Sequence, residues 1–232
     1  MHPTKKAARI AGAIYLSTAV TAPFSLIYLP RTLIVRGDAT ATASNILSHE
    51  TLFRLGIVAD LFTSVMFIFL VMALYSLLSG VNKTHASLMV ALVLVSVAVG
   101  FMNELNNIAA LTLFRGADFL AVFDKPQRDA MAMLFLGLRH HGLTINEIFW
   151  GLWLFPFGVL VVRSGFLPRI LGVWLIVICF AYLVLSSTGL LLPQYYEFAF
   201  RIASPVLFGE LAIALWLLIM GAKVQPLAAA SS

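Results

Sequence analysis

The sequence predicts an all-α fold: a polytopic membrane protein built as a bundle of about six transmembrane helices, with an extra amphipathic segment before the fourth. Three observations predict it. Of the 232 residues, 61% are hydrophobic and 11% charged, whereas soluble domains hold about 45–50% apolar and about 25% charged residues. Mean hydropathy is +0.99. Six stretches carry the roughly 20 mainly apolar residues that a bilayer crossing needs: residues 8–29, 52–79, 86–113, 143–163, 169–192 and 202–221.

The first stretch follows Lys5, Lys6 and Arg9. It is longer than a signal-peptide core and lacks a convincing small-residue cleavage site, so it reads as a retained helix. Residues 30–51 form a polar loop in which Asp38 can cap a short helix. Residues 80–85, GVNKTH, are a tight turn. In 114–142, Pro126 can start a helix on which Met131, Leu134, Phe135 and Leu138 recur at 3–4 spacing. That pattern fits a helix lying at the interface or an extension of the fourth span. Pro156 and Pro205 lie inside spans and should kink them near Leu152 and Arg201. Tyr195, Tyr196 and Phe198 read as an interfacial aromatic belt. Residues 1–222 form one six-helix domain and 223–232, with the end QPLAAASS, a flexible tail.

The fifteen Lys and Arg outnumber the ten Asp and Glu. They sit between apolar runs, which points to retention at a membrane face and away from nucleic acid. With the N-terminus inside, seven basic residues fall on that side and eight on the other, so the Lys5/Lys6/Arg9 cluster decides: both termini are expected to be cytoplasmic. The single Cys179 excludes a disulfide framework within the chain.

Function is sought among the polar residues inside the spans. The stretch from His140 to Arg169 starts polar, with His140, His141 and Asn146-Glu147, and then turns apolar. A glutamate there must be paired, protonated or wet. Asp60, Glu104 and Glu210 lie inside other spans at a similar depth in the outer half, and Glu147 about a turn shallower. Arg54, Arg139 and Arg201 lie near the same helix ends. Asn103, Glu104, Asn106 and Asn107 share about 160° of one helix, and His140, Thr144, Glu147 and Gly151 line one stripe of the next. The expectation is one polar pocket. Asp60, Glu104, Glu147 and Glu210 would supply charge, Asn103 and Asn107 hydrogen bonds, and Arg54, Arg139 and Arg201 counter-charge. Asn103-Glu104 and Asn146-Glu147 form a faint internal echo.

A metal site is poorly supported. His140 and His141 are adjacent, so a helix points them about 100° apart, and no i, i+4 ligand pair occurs; one of them with acids from other helices is the remaining arrangement. No serine sits in a nucleophile-elbow motif.

Four pieces resemble a family of bacterial membrane proteins known as domain of unknown function 4386: ARIAGAIYL at 8–16, DATATASNIL with FRLGIVADL across 38–61, FWGLWLFPFGVLVVRSGFLPRILG at 149–172, and GELAIALWLLIMG at 209–221. The resemblance implies a single domain of about six helices in a bacterial cytoplasmic (inner) membrane. It implies no activity. Asp60 and Glu210 lie within the matching pieces, whereas Glu104 and Glu147 rest on the physical argument.

The leading expectation is a protein that binds or moves a small cation, a proton or an amphiphile. The rival is an intramembrane enzyme acting on a lipid or quinone, with Glu147 or His140 as acid/base. A third reading is a non-catalytic scaffold or partner subunit. The lipid bilayer is the expected partner. The sequence names neither a cofactor nor an oligomeric state.

Overall fold

A computed structural model describes residues 3–222; the expected tail, 223–232, lies outside the described residues. Six helices or continuous helical runs are long and apolar enough to cross a membrane: Lys5–Leu33, Glu50–Leu78, Lys83–Arg115, Lys125–Ser164, Arg169–Leu191 and Pro193–Ile219. The protein is an all-α, multi-pass membrane bundle.

The first span runs as α1 (Pro3–Pro23), a π-helical turn (Phe24–Tyr28) and α2 (Leu29–Leu33). It passes beyond residue 29 because the helical run continues through the π-helical turn into α2, with Pro30 in the first turn of α2. Asp38 caps α3 (Ala39–Ser48) as expected, accepting from the Ala41 N–H at 2.8 Å. Next come α4 (Glu50–Leu78) and α5 (Lys83–Arg115), the latter capped by Asn82.

The 114–142 segment resolves to an extension of the fourth span. An Asp124–Gln127 capping box starts α6 (Lys125–Leu152), which continues without a break into the membrane. Its buried face holds Asp129, Ala132, Leu136 and Arg139, while Leu134 and Leu138 are exposed. Leu134 and Leu138 of the apolar stripe face outward, whereas Met131 and Phe135 pack against the buried cluster that holds Ala132 and Leu136.

The fourth span completes as α7 (Leu154–Ser164), interrupted at Trp153, three residues before Pro156. After α8 (Arg169–Leu191), the last span is α9 (Tyr196–Leu207) and α10 (Gly209–Ile219), interrupted at Phe208, three residues after Pro205. The Arg201 carbonyl, which Pro205 cannot serve, accepts from the Ser204 hydroxyl at 3.2 Å, and Trp174 Nε1 donates to the Val206 carbonyl at 3.2 Å. Side chains thus satisfy backbone groups that a broken helix would strand in lipid.

The spans close into a ring: α1 packs on α4, α4 on α5, α5 on α6, α6 and α7 on α8, and α8 and α1 both on α10. Two apolar clusters fill it. One, toward the N-terminal side, centres on Trp153, stacked on Phe157 at 5.4 Å and edge-on to Phe67 at 5.1 Å. The other, toward the opposite side, is where Leu33, Ala43, Ile46, Phe53, Phe114 and Leu136 meet under α3. Along α4, α5 and α6, the interval between the clusters carries Asp60, Asn103, Glu104, Arg139 and Asn146. The polar residues form a layer between two apolar plugs.

Candidate functional site

The layer is divided in two. In the first centre, Arg139 on α6 reaches Asp60 on α4, with Nη2 2.5 Å from Oδ2. Its Nε faces Glu104 Oε1 on α5 at 3.4 Å, without hydrogen-bond geometry. Asp60 and Glu104 thus meet on one guanidinium. The side chains of Asp60, Glu104 and Arg139 are 14%, 6% and 9% exposed, so this is a buried cluster. Its supports are specific. The Ser25 hydroxyl, in the π-helical turn, donates to Asp60 Oδ1. Asn107 Nδ2 donates to Glu104 Oε2 at 2.8 Å. Asn103 Nδ2 donates to the Arg139 carbonyl at 3.0 Å, and Asn106 in turn donates to Asn103. Gly142 makes the α5–α6 approach feasible, since a Cβ there would collide with the Asn103 amide.

The second centre holds the other two acids and is built from phenols. Tyr196 on α9 donates to Glu147 Oε1 at 2.6 Å, and Tyr15 on α1 donates to Glu210 Oε2 at 2.5 Å. Tyr182 on α8 faces both Glu210 and Glu147. A Cβ on Gly189 would meet Thr144 and the Tyr196 ring, so glycine there lets Tyr196 close on α6. Glu147 Oε2 and the Ser186 hydroxyl are buried without a hydrogen-bond partner among the described residues. Gly151 lies against Cys179 and Tyr182, and Thr144 against Gly189, so antiparallel α6 and α8 bring Glu147 and Ser186 to the same level.

The sequence-predicted residues are therefore placed unequally. Asp60, Glu104, Arg139, Asn103 and Asn107 come together. Glu147 and Glu210 join the tyrosine centre, each with partners of its own. Arg54 turns back to Glu50, one helical turn away, with Nε 2.7 Å from Oε1, and Arg201 is exposed. Both lie near helix ends, where a long basic side chain reaches water more cheaply than it enters the bundle. His140 packs edge-on to Tyr196 with ring centroids 6.0 Å apart, and both His140 and His141 are exposed. Among the described residues, no group of three or more His, Cys, Asp or Glu side chains is arranged to hold a metal.

The tyrosines are what sequence reasoning missed. Tyr196 reads from the sequence as part of an interfacial belt, and Tyr15 and Tyr182 are not singled out there. A tyrosine in mid-span carries a hydroxyl that must find an acceptor, and that was the usable signal. The Asn-Glu echo has a structural counterpart across α5 and α6. Asn103 bonds the Arg139 carbonyl, and Asn146 accepts from the Ser96 hydroxyl at 2.9 Å, each reaching a residue seven positions before the other asparagine. The glutamates that follow do not mirror each other.

Fold and buried ionisable layer together define a polytopic membrane protein with an intramembrane charge cluster. The family described as "Domain of unknown function (DUF4386)" matches residues 10–221, nearly the whole chain, and the protein belongs to it. It is similar to an uncharacterized protein of Archaeoglobus fulgidus, 35% identical over 86 residues, which cover 36% of this chain and 48% of that protein. No solved structure matches the chain.

Proposed function

We propose that this protein binds, and in its cycle moves, a proton or small monovalent cation at the Asp60–Glu104–Arg139 centre. One observation carries the reading. Two buried carboxylates share one guanidinium, so the fully ionised cluster holds one negative charge in excess. An uncompensated charge at that depth costs several kcal/mol, and a proton or cation between the two carboxyls removes it. A protonated carboxyl gains an O–H donor that its ionised form lacks. Asp60 and Glu104 are the acceptors, Arg139 fixes their separation, and Asn107 and Ser25 orient the two carboxyls.

The second reading, an intramembrane enzyme with Glu147 or His140 as acid/base, draws on Tyr196, which touches both. The charge argument favours the first.

The test is ligand-linked stability of the purified protein in detergent. Thermal unfolding is followed against pH, and against sodium, lithium or potassium balanced with choline. A species that binds the native state raises its midpoint. Acid or one small cation is expected to stabilise the wild type, whereas Glu104→Gln, which removes the excess charge, is expected to be insensitive. Equal responses of wild type, Glu104→Gln and Asp60→Asn would overturn the proposal and leave a packing role.

A further inference from the structure

A different part of the molecule, away from the charge cluster, carries a cleft with a basic rim. At the end of the bundle opposite the N-terminus, α4 and α5 diverge around a cleft of about 340 Å³. Its wall is apolar: Ile57 and Leu111, both buried, and Ile108, 48% exposed. Its rim holds Arg54 and Arg115. A single carboxylate lies between them. Glu50 Oε1 is 2.7 Å from Arg54 Nε, and Glu50 Oε2 is 3.7 Å from Arg115 Nε. Two cations against one anion leave a positive charge, and the Nη groups of both guanidinia have no acidic partner among the described residues. The two arginine side chains are 51% and 58% exposed and so remain accessible. The remaining polar side chain, Thr112, is already engaged, donating to the Ile108 carbonyl at 2.8 Å. Recognition at the rim is therefore by guanidinium alone, and guanidinium suits a phosphate geometrically.

We infer that this cleft is a binding site for an anionic phospholipid, its phosphate held between Arg54 and Arg115 and an acyl chain lying along Ile57, Ile108 and Leu111. The cleft lies at the end of two spanning helices, so its charged rim meets the headgroup layer and its apolar wall meets the hydrocarbon. A soluble anion would gain nothing from that wall. A zwitterionic lipid would bring a second cation against the arginines. Glu50 holds the two guanidinia on one side of the opening, and it also competes weakly with the phosphate.

The experiment is lipid titration of the full-length protein in a neutral detergent, read by native mass spectrometry and by thermal midpoint. The probes are phosphatidylglycerol, phosphatidylcholine and free glycerol phosphate. Phosphatidylglycerol is expected to bind and stabilise, and the other two are not. The Arg54→Gln/Arg115→Gln protein should bind it about 30-fold more weakly, at about fivefold per arginine beside an anionic group. Removing the same charge elsewhere, with Arg31→Gln/Arg201→Gln, should leave binding unchanged. Ile108→Trp, which fills the cleft and keeps both arginines, should weaken binding on its own and covers the case in which the arginine variant folds poorly. The proposal is overturned if the two double variants lose affinity equally, if glycerol phosphate binds as well as the lipid, or if Ile108→Trp leaves lipid binding unchanged.

Discussion

Between α4, α5 and α6, two carboxylates are met by a guanidinium; between α1, α6, α8, α9 and α10, two more are met by phenols. Both arrangements keep an acid inside a membrane bundle, but by different means. A guanidinium supplies a full charge and carries that charge into the interior itself, so each member depends on the others being ionised. A phenol supplies one hydrogen bond and no charge, so Glu147 and Glu210 depend on their partners far less. The first centre is a coupled unit that responds to gain or loss of one charge. The second is a pair of local hydrogen bonds.

The largest effect should therefore come from Arg139. Arg139→Met leaves Asp60 and Glu104 without their shared cation and should destabilise the fold by about 3–5 kcal/mol, read as the midpoint shift in denaturant titration from detergent. Combining it with Asp60→Asn and Glu104→Gln should restore most of that loss, because removing the whole charged set is often close to neutral. A triple variant no more stable than Arg139→Met would show that the residues act singly, and the contrast between the two centres would fail.

That contrast was only half legible in the sequence. Hydropathy and span length gave the six helices, and counting residues along them placed Asp60, Glu104 and Glu210 at one depth. Counting gives position along a helix axis and says nothing of how the helices are ordered around the ring. Glu210 faces Tyr15 and Tyr182 because α10 packs between α1 and α8, a fact of tertiary packing. Arg139 was legible as a basic residue near a helix end. Its inward turn was not, because Arg54 and Arg201 occupy similar positions and point elsewhere. The Met131, Leu134, Phe135 and Leu138 pattern leaves open an interfacial helix or an extension of the fourth span, and only the continuous run of α6 into α7 decides for the extension.

Next in size are the tyrosines. Tyr196→Phe should cost about 1–2 kcal/mol, since it strips the bond to Glu147 Oε1 from a carboxyl whose Oε2 already lacks one. Tyr15→Phe should cost less, near the average of about 0.6 kcal/mol for hydrogen bonds between transmembrane helices, because Tyr182 still faces Glu210. The order of the two is the informative part. If Tyr15→Phe were the more damaging, Tyr182 would not be a second donor, and the two acids of this centre would need separate accounts.

The smallest effect should come from Arg36, whose Nη2 lies 2.6 Å from Glu197 Oε1. By distance this pair matches the 2.5 Å contact of Arg139 with Asp60. Its side chains are 88% and 60% exposed, however, so water and salt screen it and ordering two long side chains offsets most of the attraction. Arg36→Gln should shift stability by no more than about 0.5 kcal/mol, and the shift should vanish as ionic strength rises. Together with Arg139→Met it separates two explanations of why the buried cluster matters. If contact distance governed, the two changes would cost about the same. If burial governs, Arg139→Met dominates, because only there does the lost cation leave a carboxylate that water cannot reach.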